Sequence, residues 1–293
     1  MSPADNLLDL LTNPAAHYNV GWSHGKEALK SGQYDTMKGS YYATIMSSYL
    51  QSIHPNTNPD SQPTFEWPNI WPADELLPGF RATFEELCTM IIDIALLVAR
   101  ACDQFAAEFV EGYVSGTMES IVKESMTIKA RLLHYFPLSG YPSSKAISKE
   151  EDDSWCALHV DDGCLTGLTS ALFVDESAPL PPLNSSTFKS VLSFRESPDP
   201  LAGLYIRSRT FDVVKVNIPA DCLAFQTGSA LELITGGALK AVPHFVRGPN
   251  AAGAGVARNT LAVFTQPNLG EIVDIKTGMT FGEHIRISDE KHT

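Results

Sequence analysis

Two histidines, an aspartate and an arginine are the residues of this chain whose types and spacing could do chemistry. His159 and Asp161 stand two apart in WCALHVDDGCLTGLT, His244 lies in LITGGALKAVPHFVRG, and Arg258 lies in VARNTLAVF. Residues two apart in an extended strand project from the same side. An imidazole and a carboxylate placed that way can both reach one ion, with His244 supplied by a distant strand. Two neutral nitrogens and one carboxylate on one face of a divalent ion leave up to three positions open, which suits non-haem Fe(II) oxygen chemistry. The same set would also suit zinc with an activated water. The plainer alternative is a structural hydrogen-bonded pair of His159 with Asp161, His244 merely following a turn. Context argues for a site, because a charged pair set in apolar strands costs too much to leave unpaired. Asp162 should point away from Asp161, which assigns it a supporting or surface role.

Arg258 and Thr260 share one strand face. A guanidinium offers a planar fork that matches a carboxylate, and the hydroxyl adds a donor. The pair reads as a clamp for the far carboxylate of an organic acid whose other end meets the metal. A structural salt bridge at a barrel rim is the alternative.

Such groups need a rigid frame. From about residue 129 the pattern becomes strand-like: KARLLHYF, CALHV, CLTGLTSALFV, LAGLYIRSR, VVKVNI, CLAFQ, KAVPHFV and RNTLAVFTQ, separated by turn signals. Many short strands of this kind argue for a sandwich or barrel. Residues 143–154 are polar and acidic, and residues 176–200 are rich in Pro and Ser, an excursion from the sheet with one helical turn at TFKSVLSF. Upstream, apolar residues recur at helical spacing over 79–111, through Phe80, Phe84, Leu87, Cys88, Ile91, Ala95 and Val98, predicting a long helix packed on the sheet. A second helix is expected over about 117–128. Residues 1–76 read as irregular, held to the body by Trp67 and Trp71, part of them roofing a pocket. The expected division is therefore a region at 1–128, irregular and helical, packing on a core at 129–293 with an insertion at about 176–200. The ITGGALK glycines suit a turn. The C-terminus reads as strand, turn and polar tail, with His284 and His292 on the surface.

With 293 residues, 44% hydrophobic and 19% charged, the chain can bury one sizeable core. A formal net charge of −13 without a Lys/Arg cluster makes nucleic acid and anionic membranes poor partners. No apolar run is long enough to span a bilayer, and MSPADNLLDLL lacks the pattern of a secretory signal. Cys88, Cys102, Cys156, Cys164 and Cys222 show no CxxC spacing and read as reduced, mostly buried thiols, which fits a cytoplasmic location.

In order along the chain, RLLHYFP, HVDDGCLTGL, GLYI, TGGALKAVPHFV and RNTLAVFTQP resemble the isopenicillin N synthase-like group of Fe(II)/2-oxoglutarate-dependent dioxygenases. The resemblance covers about 129–271 and extends less specifically through KGSYY, PNIWP and the long helix. It implies a mainly β fold with flanking helices, a distorted double-stranded β-helix (jelly roll, cupin-like) backed by a long helix. It implies that His159, Asp161 and His244 hold iron, and that Arg258 and Thr260 bind 2-oxoglutarate with help from Tyr135. Leu133 stands where many plant members have asparagine. O2 would be the other cosubstrate, a small organic molecule the substrate, and succinate and CO2 products; no protein general base is invoked. The outcome would be hydroxylation, desaturation or ring closure, with secondary metabolism as the setting. Two departures stand out. The stretch from Asp161 to His244 is long for the group, and the usual opening strand and helix look reduced, which questions whether the sheet is whole. Three other readings remain: an oxidase of the same group that needs no 2-oxoglutarate, a jelly-roll binding protein with a decayed site, and a zinc hydrolase.

Overall fold

The structure, a computed structural model, describes residues 8–26, 34–55, 67–137, 156–178, 193–197, 199–248 and 255–292. Its centre is a pair of strands whose alternate residues face two different layers. These are β3 (Lys129–Tyr135) and β12 (Val256–Thr265), antiparallel with Arg258 opposite Tyr135 and Thr260 opposite Leu133. Ala130, Leu132, Leu261 and Val263 turn outward to a helix, while Leu133, Tyr135 and Ala262 turn inward to a second sheet. A period of two lets one strand serve both layers.

Around this pair the main sheet runs β1 (Gly21–His24), β2 (Lys38–Thr44), β3, β12, β5 (Leu165–Thr169) and β10 (Leu223–Thr227). The first half of β12 also pairs with β6 (Leu172–Asp175), which carries β7 (Phe194–Arg195) on its other edge. The second sheet is β4 (Cys156–His159), β11 (His244–Arg247), β8 (Gly203–Arg207) and β9 (Val213–Lys215). The two inner faces enclose Leu133, Tyr135, Val246 and Ala262. The outcome is the expected double-stranded β-helix.

The expected long helix is α2 (Phe80–Phe109); the shorter α1 (Ser48–Ile53) precedes it. Phe84, Cys88, Ile91, Ile92, Ala95, Ala99 and Ala106 form its buried stripe. It lies close to the sheet at Gly167, where a Cβ would come 2.5 Å from Ile91 Cγ2. Asp103 on the same stripe is buried and accepts from the Met118 and Glu119 amides and the Tyr113 hydroxyl. It thereby satisfies the N-terminus of α3 (Thr117–Glu124), whose cap residue Gly116 has no side chain to do so.

Several expectations fail. The first 76 residues are not wholly irregular: β2 runs beside β3 over seven paired positions and β1 pairs with β2, so the sheet is extended on this side. The signal was masked because β2, KGSYYAT, is almost wholly buried and does not alternate. Trp71 packs on Tyr41, Phe80 and Phe84, and the Tyr41 hydroxyl donates to the Ile70 carbonyl. That fixes the segment to the helix side of the sheet, so its residues 67–76 do not roof the cavity described below. Within the insertion, Phe194 is in a strand; residues 187–192 of the expected helical turn, and residues 143–154, lie outside the described residues. The C-terminal tail is a helix, α5 (Phe281–His292), anchored by the buried Phe281 after the hairpin of β13 (Ile272–Asp274) and β14 (Met279–Thr280). Cys222 precedes β10 and is exposed. No described helix is long and apolar enough to cross a membrane.

Candidate metal centre

β4 ends on His159, Asp161 lies in the turn that leads to β5, and β11 begins on His244 directly opposite His159. The structure thus brings His244 to the His159–Asp161 pair, from which it is remote in sequence. His159 Nε2 is 3.6 Å and His244 Nε2 is 3.7 Å from Asp161 Oδ1. The three candidate ligand atoms all lie within 4.8 Å of one another. Atoms bound about 2.0–2.2 Å from one ion and roughly at right angles sit about 3 Å apart, so a slight contraction would close this set on one ion.

The far side of each group is already committed. His159 Nδ1 faces the Ala157 carbonyl at 2.7 Å, and His244 Nδ1 faces the Val242 carbonyl at 3.1 Å. With each Nδ1–H donating to its carbonyl, Nε2 is the ring atom turned towards Asp161, able to bind an ion once it carries no proton. The Thr166 hydroxyl donates to Asp161 Oδ2 at 2.5 Å, leaving Oδ1 for an ion. Asp161 and His244 are buried; the His159 side chain is 37% exposed and forms the accessible side.

Charge is arranged to match. Burial works against the Asp161 carboxylate, yet His159, His244 and Thr166 hold its pKa below the ordinary value, so it is ionised. Burial also keeps His244 below the usual histidine range, hence neutral. Burial opposes protonation of His159 as well, but Asp161 and Cys156 prevail and raise it to about 10. An incoming cation must therefore displace the His159 proton, making binding tighter as pH rises towards that value. Cys156, with Sγ 3.8 Å from His159 Nδ1, is the part of this network that the sequence left among ordinary buried thiols.

The turn carrying Asp161 is held by an element the sequence did not reveal, α4 (Ser229–Ile234). Its first amides clasp the turn: Gly228 N–H donates to the Cys164 carbonyl, Ser229 N–H to Asp161, and Ala230 N–H to Asp162 and Gly163. A Cβ on Gly228 would lie 2.2 Å from the Gly163 carbonyl oxygen and 2.7 Å from that of Asp161. Gly228→Ala must move one chain or the other. We expect it to lose about 1–3 kcal/mol, as overpacked sites do, seen as a lower urea midpoint with an unchanged slope. A midpoint equal to that of the parent would show that α4 does not set the turn. His284 is not a surface residue either. It sits on α5 with Nε2 2.7 Å from Ser229 Oγ and 4.0 Å from Asp162 Oδ1, 16% exposed. Asp162 thus turns towards α5. His292 ends α5, and its side chain lies outside the described residues.

Arg258 and Thr260 are both buried and face the same interior as the histidines. The Arg258 guanidinium lies 5.1 Å from the centre of the Tyr135 ring. No described carboxylate pairs with it, and its Nε has no hydrogen-bond partner. The rim salt bridge is therefore absent among the described residues. Burial pushes the Arg258 pKa down while Tyr135 opposes the shift. An interior cation without an anion is costly, and a bound carboxylate would satisfy it. A cavity of about 850 Å³ joins the guanidinium to the three candidate ligands.

No family model and no curated protein sequence matches the chain. Solved structures do match. A Caulobacter crescentus protein described as of the 2OG-Fe(II) oxygenase family aligns with 100% of this chain and 81% of its own, at 17% identity and a TM-score of 0.63. A full-length Neurospora crassa protein in complex with alpha-KG aligns over 98% of this chain and 78% of its own, at 18% identity and a TM-score of 0.61. JOX2 in complex with 2OG, Fe and JA aligns over 96% and 68%, at 14% identity and a TM-score of 0.56. At these identities the likeness bears on backbone architecture: the chain has the double-stranded β-helix fold of the 2OG-Fe(II) oxygenases.

Proposed function

We propose that this protein is an Fe(II)- and 2-oxoglutarate-dependent dioxygenase that oxidises a small organic molecule. The observation that carries the reading is the joint placement, in one cavity, of a His-Asp-His cluster and an interior arginine with no described carboxylate partner. His159, Asp161 and His244 would hold the iron. When bound, iron and 2-oxoglutarate supply, with O2, the oxidising power for C–H chemistry and leave succinate and CO2. The protein's share is placement. The carbonyls of Ala157 and Val242 and the Thr166 hydroxyl fix the ligands before an ion arrives. Arg258 and Thr260 would take the far carboxylate of 2-oxoglutarate, with the Tyr135 ring packed against the guanidinium. Leu168 and Phe264 line the cavity with apolar surface that limits water beside the reacting bond. Hydroxylation, desaturation and ring closure all fit this arrangement.

A cavity of about 850 Å³ suits a small ligand. The Neurospora crassa protein has been crystallised with thymine and with 5-formyluracil, and JOX2 with JA, which supports a small-molecule substrate here. The test is coupled turnover: purified protein given Fe(II), O2 and 2-oxoglutarate should release succinate, and omitting 2-oxoglutarate should stop O2 uptake. O2 uptake that continues without 2-oxoglutarate would refute the cosubstrate assignment and give Arg258 to a carboxylate of the substrate.

A further inference from the structure

The hairpin between β8 and β9 is built in a way that neither the fold nor the cavity requires. Its loop is Arg209, Thr210 and Phe211, closed by the Phe211 amide donating to the Ser208 carbonyl and the Ser208 amide donating to the Asp212 carbonyl. A three-residue loop of this kind places its last residue in the left-handed region, which glycine fills without strain. Here that residue is Phe211, at φ 66°. Side chains lock the turn. Ser208 Oγ accepts from the Thr210 and Asp212 amides, and the Thr210 hydroxyl donates to Asp212 Oδ2 at 2.5 Å. The ring held in this way is 80% exposed, more than any other large apolar side chain among the described residues. Strain that secures no packing within the chain points to a contact made outside it.

Charge and shape indicate which contact. The tip is basic: Arg207 and Arg209 stand beside the ring in sequence, and neither pairs with a described carboxylate. Between α2, α1 and the end of β2 lies a groove of about 860 Å³. Ile45, Met46, Met90 and Ile94 give it an apolar lining, with Glu86 and Asp93 as an acidic edge. Met90 is 48% exposed there, and Glu86 has no described basic partner. Arg81 at the same groove is already paired with Glu85. An aromatic anchor entering a pocket edged by opposite charge is how interfaces concentrate energy and fix orientation. The tip belongs to the second sheet and the groove to the helix layer, with the main sheet between them. One chain therefore cannot join its own tip to its own groove.

We propose that this groove receives the Phe211 tip of a second copy of the chain, with Arg209 set against Glu86 and Asp93. Each copy offers one tip and one groove, so the contact is of the head-to-tail kind. A chain of net charge −13 repels its own copies. A basic tip meeting an acidic groove reverses that repulsion for one orientation.

The test is the mass of the full chain in solution, followed by sedimentation velocity over a concentration series. Mass should rise above the 31.9 kDa of one chain, and rise less in high salt, which screens the Arg209 contact. Phe211→Gly should weaken association at least tenfold and remain folded, because glycine suits the left-handed position. Met90→Glu, at an exposed helix position, should weaken it as much from the groove side. Mixing these two variants should restore pairs and nothing larger, since one keeps its groove and the other its tip. Arg209→Glu takes the place of Phe211→Gly if that variant misfolds. A parent that keeps the mass of one chain up to about 1 mM, association that survives either substitution, or a mixture that does not pair would overturn the proposal.

Discussion

His244→Ala should bind Fe(II) more than about a hundredfold more weakly than the parent and show no 2-oxoglutarate turnover, while remaining folded. Losing a partner that merely orients a metal ligand commonly costs 10–100-fold, and His244 would be a ligand itself. The fold should survive for local reasons. His244 opens β11 opposite His159, and its main-chain pairing with β4 and β8 does not need the imidazole. The side chain's own hydrogen bond is a single contact to the Val242 carbonyl, and the space left would open on the cavity. Anaerobic Fe(II) titration beside circular dichroism tests this. A folded variant that binds iron within tenfold of the parent would remove His244 from the site.

Arg258→Met should change two quantities in opposite directions. The apo protein now holds an interior guanidinium without a described carboxylate partner. Replacing it by an apolar chain of similar length removes a desolvated charge, so the melting temperature of the apo variant should equal or exceed that of the parent. Binding of 2-oxoglutarate should weaken by about 2–4 kcal/mol, the loss expected when one partner of a buried charge pair is truncated. That is roughly thirtyfold to several hundredfold. The rise in melting temperature that saturating 2-oxoglutarate gives the parent, a direct consequence of binding to the native state, should disappear. A variant stabilised by 2-oxoglutarate as strongly as the parent would move the carboxylate clamp elsewhere. A variant whose apo form melts far lower would mean that Arg258 serves the fold.

The chain wrote some of this plainly. The His159–Asp161 spacing is meaningful because strands repeat every two residues, and α2 was legible because thirty residues repeat one buried stripe. Other elements were too short or too buried to carry a period. The six residues of α4 follow Gly228, which makes no side-chain cap, so no start signal marks them. In α5, Phe281 and Ile285 pack against the core among mostly polar neighbours, which reads as a tail. His284 looked like surface because its partners, Ser229 and Asp162, are remote in sequence.

The sequence by itself determined which side chains are available and which share a strand face, since those follow from residue type and backbone period. Through the succession of short strands and turns it also pointed to a sandwich or barrel, and the resemblance implied the jelly roll. Only the tertiary structure decided that His244 stands opposite His159, that Asp161 offers one oxygen while Thr166 holds the other, and that Arg258 is enclosed without a described anion. His244 and His159 are remote along the chain, and even Thr166, five residues from Asp161, is aimed at it only by the fold. These placements are fixed by sheet register and by the clasp of α4 on the Asp161 turn, neither of which leaves a local pattern to read.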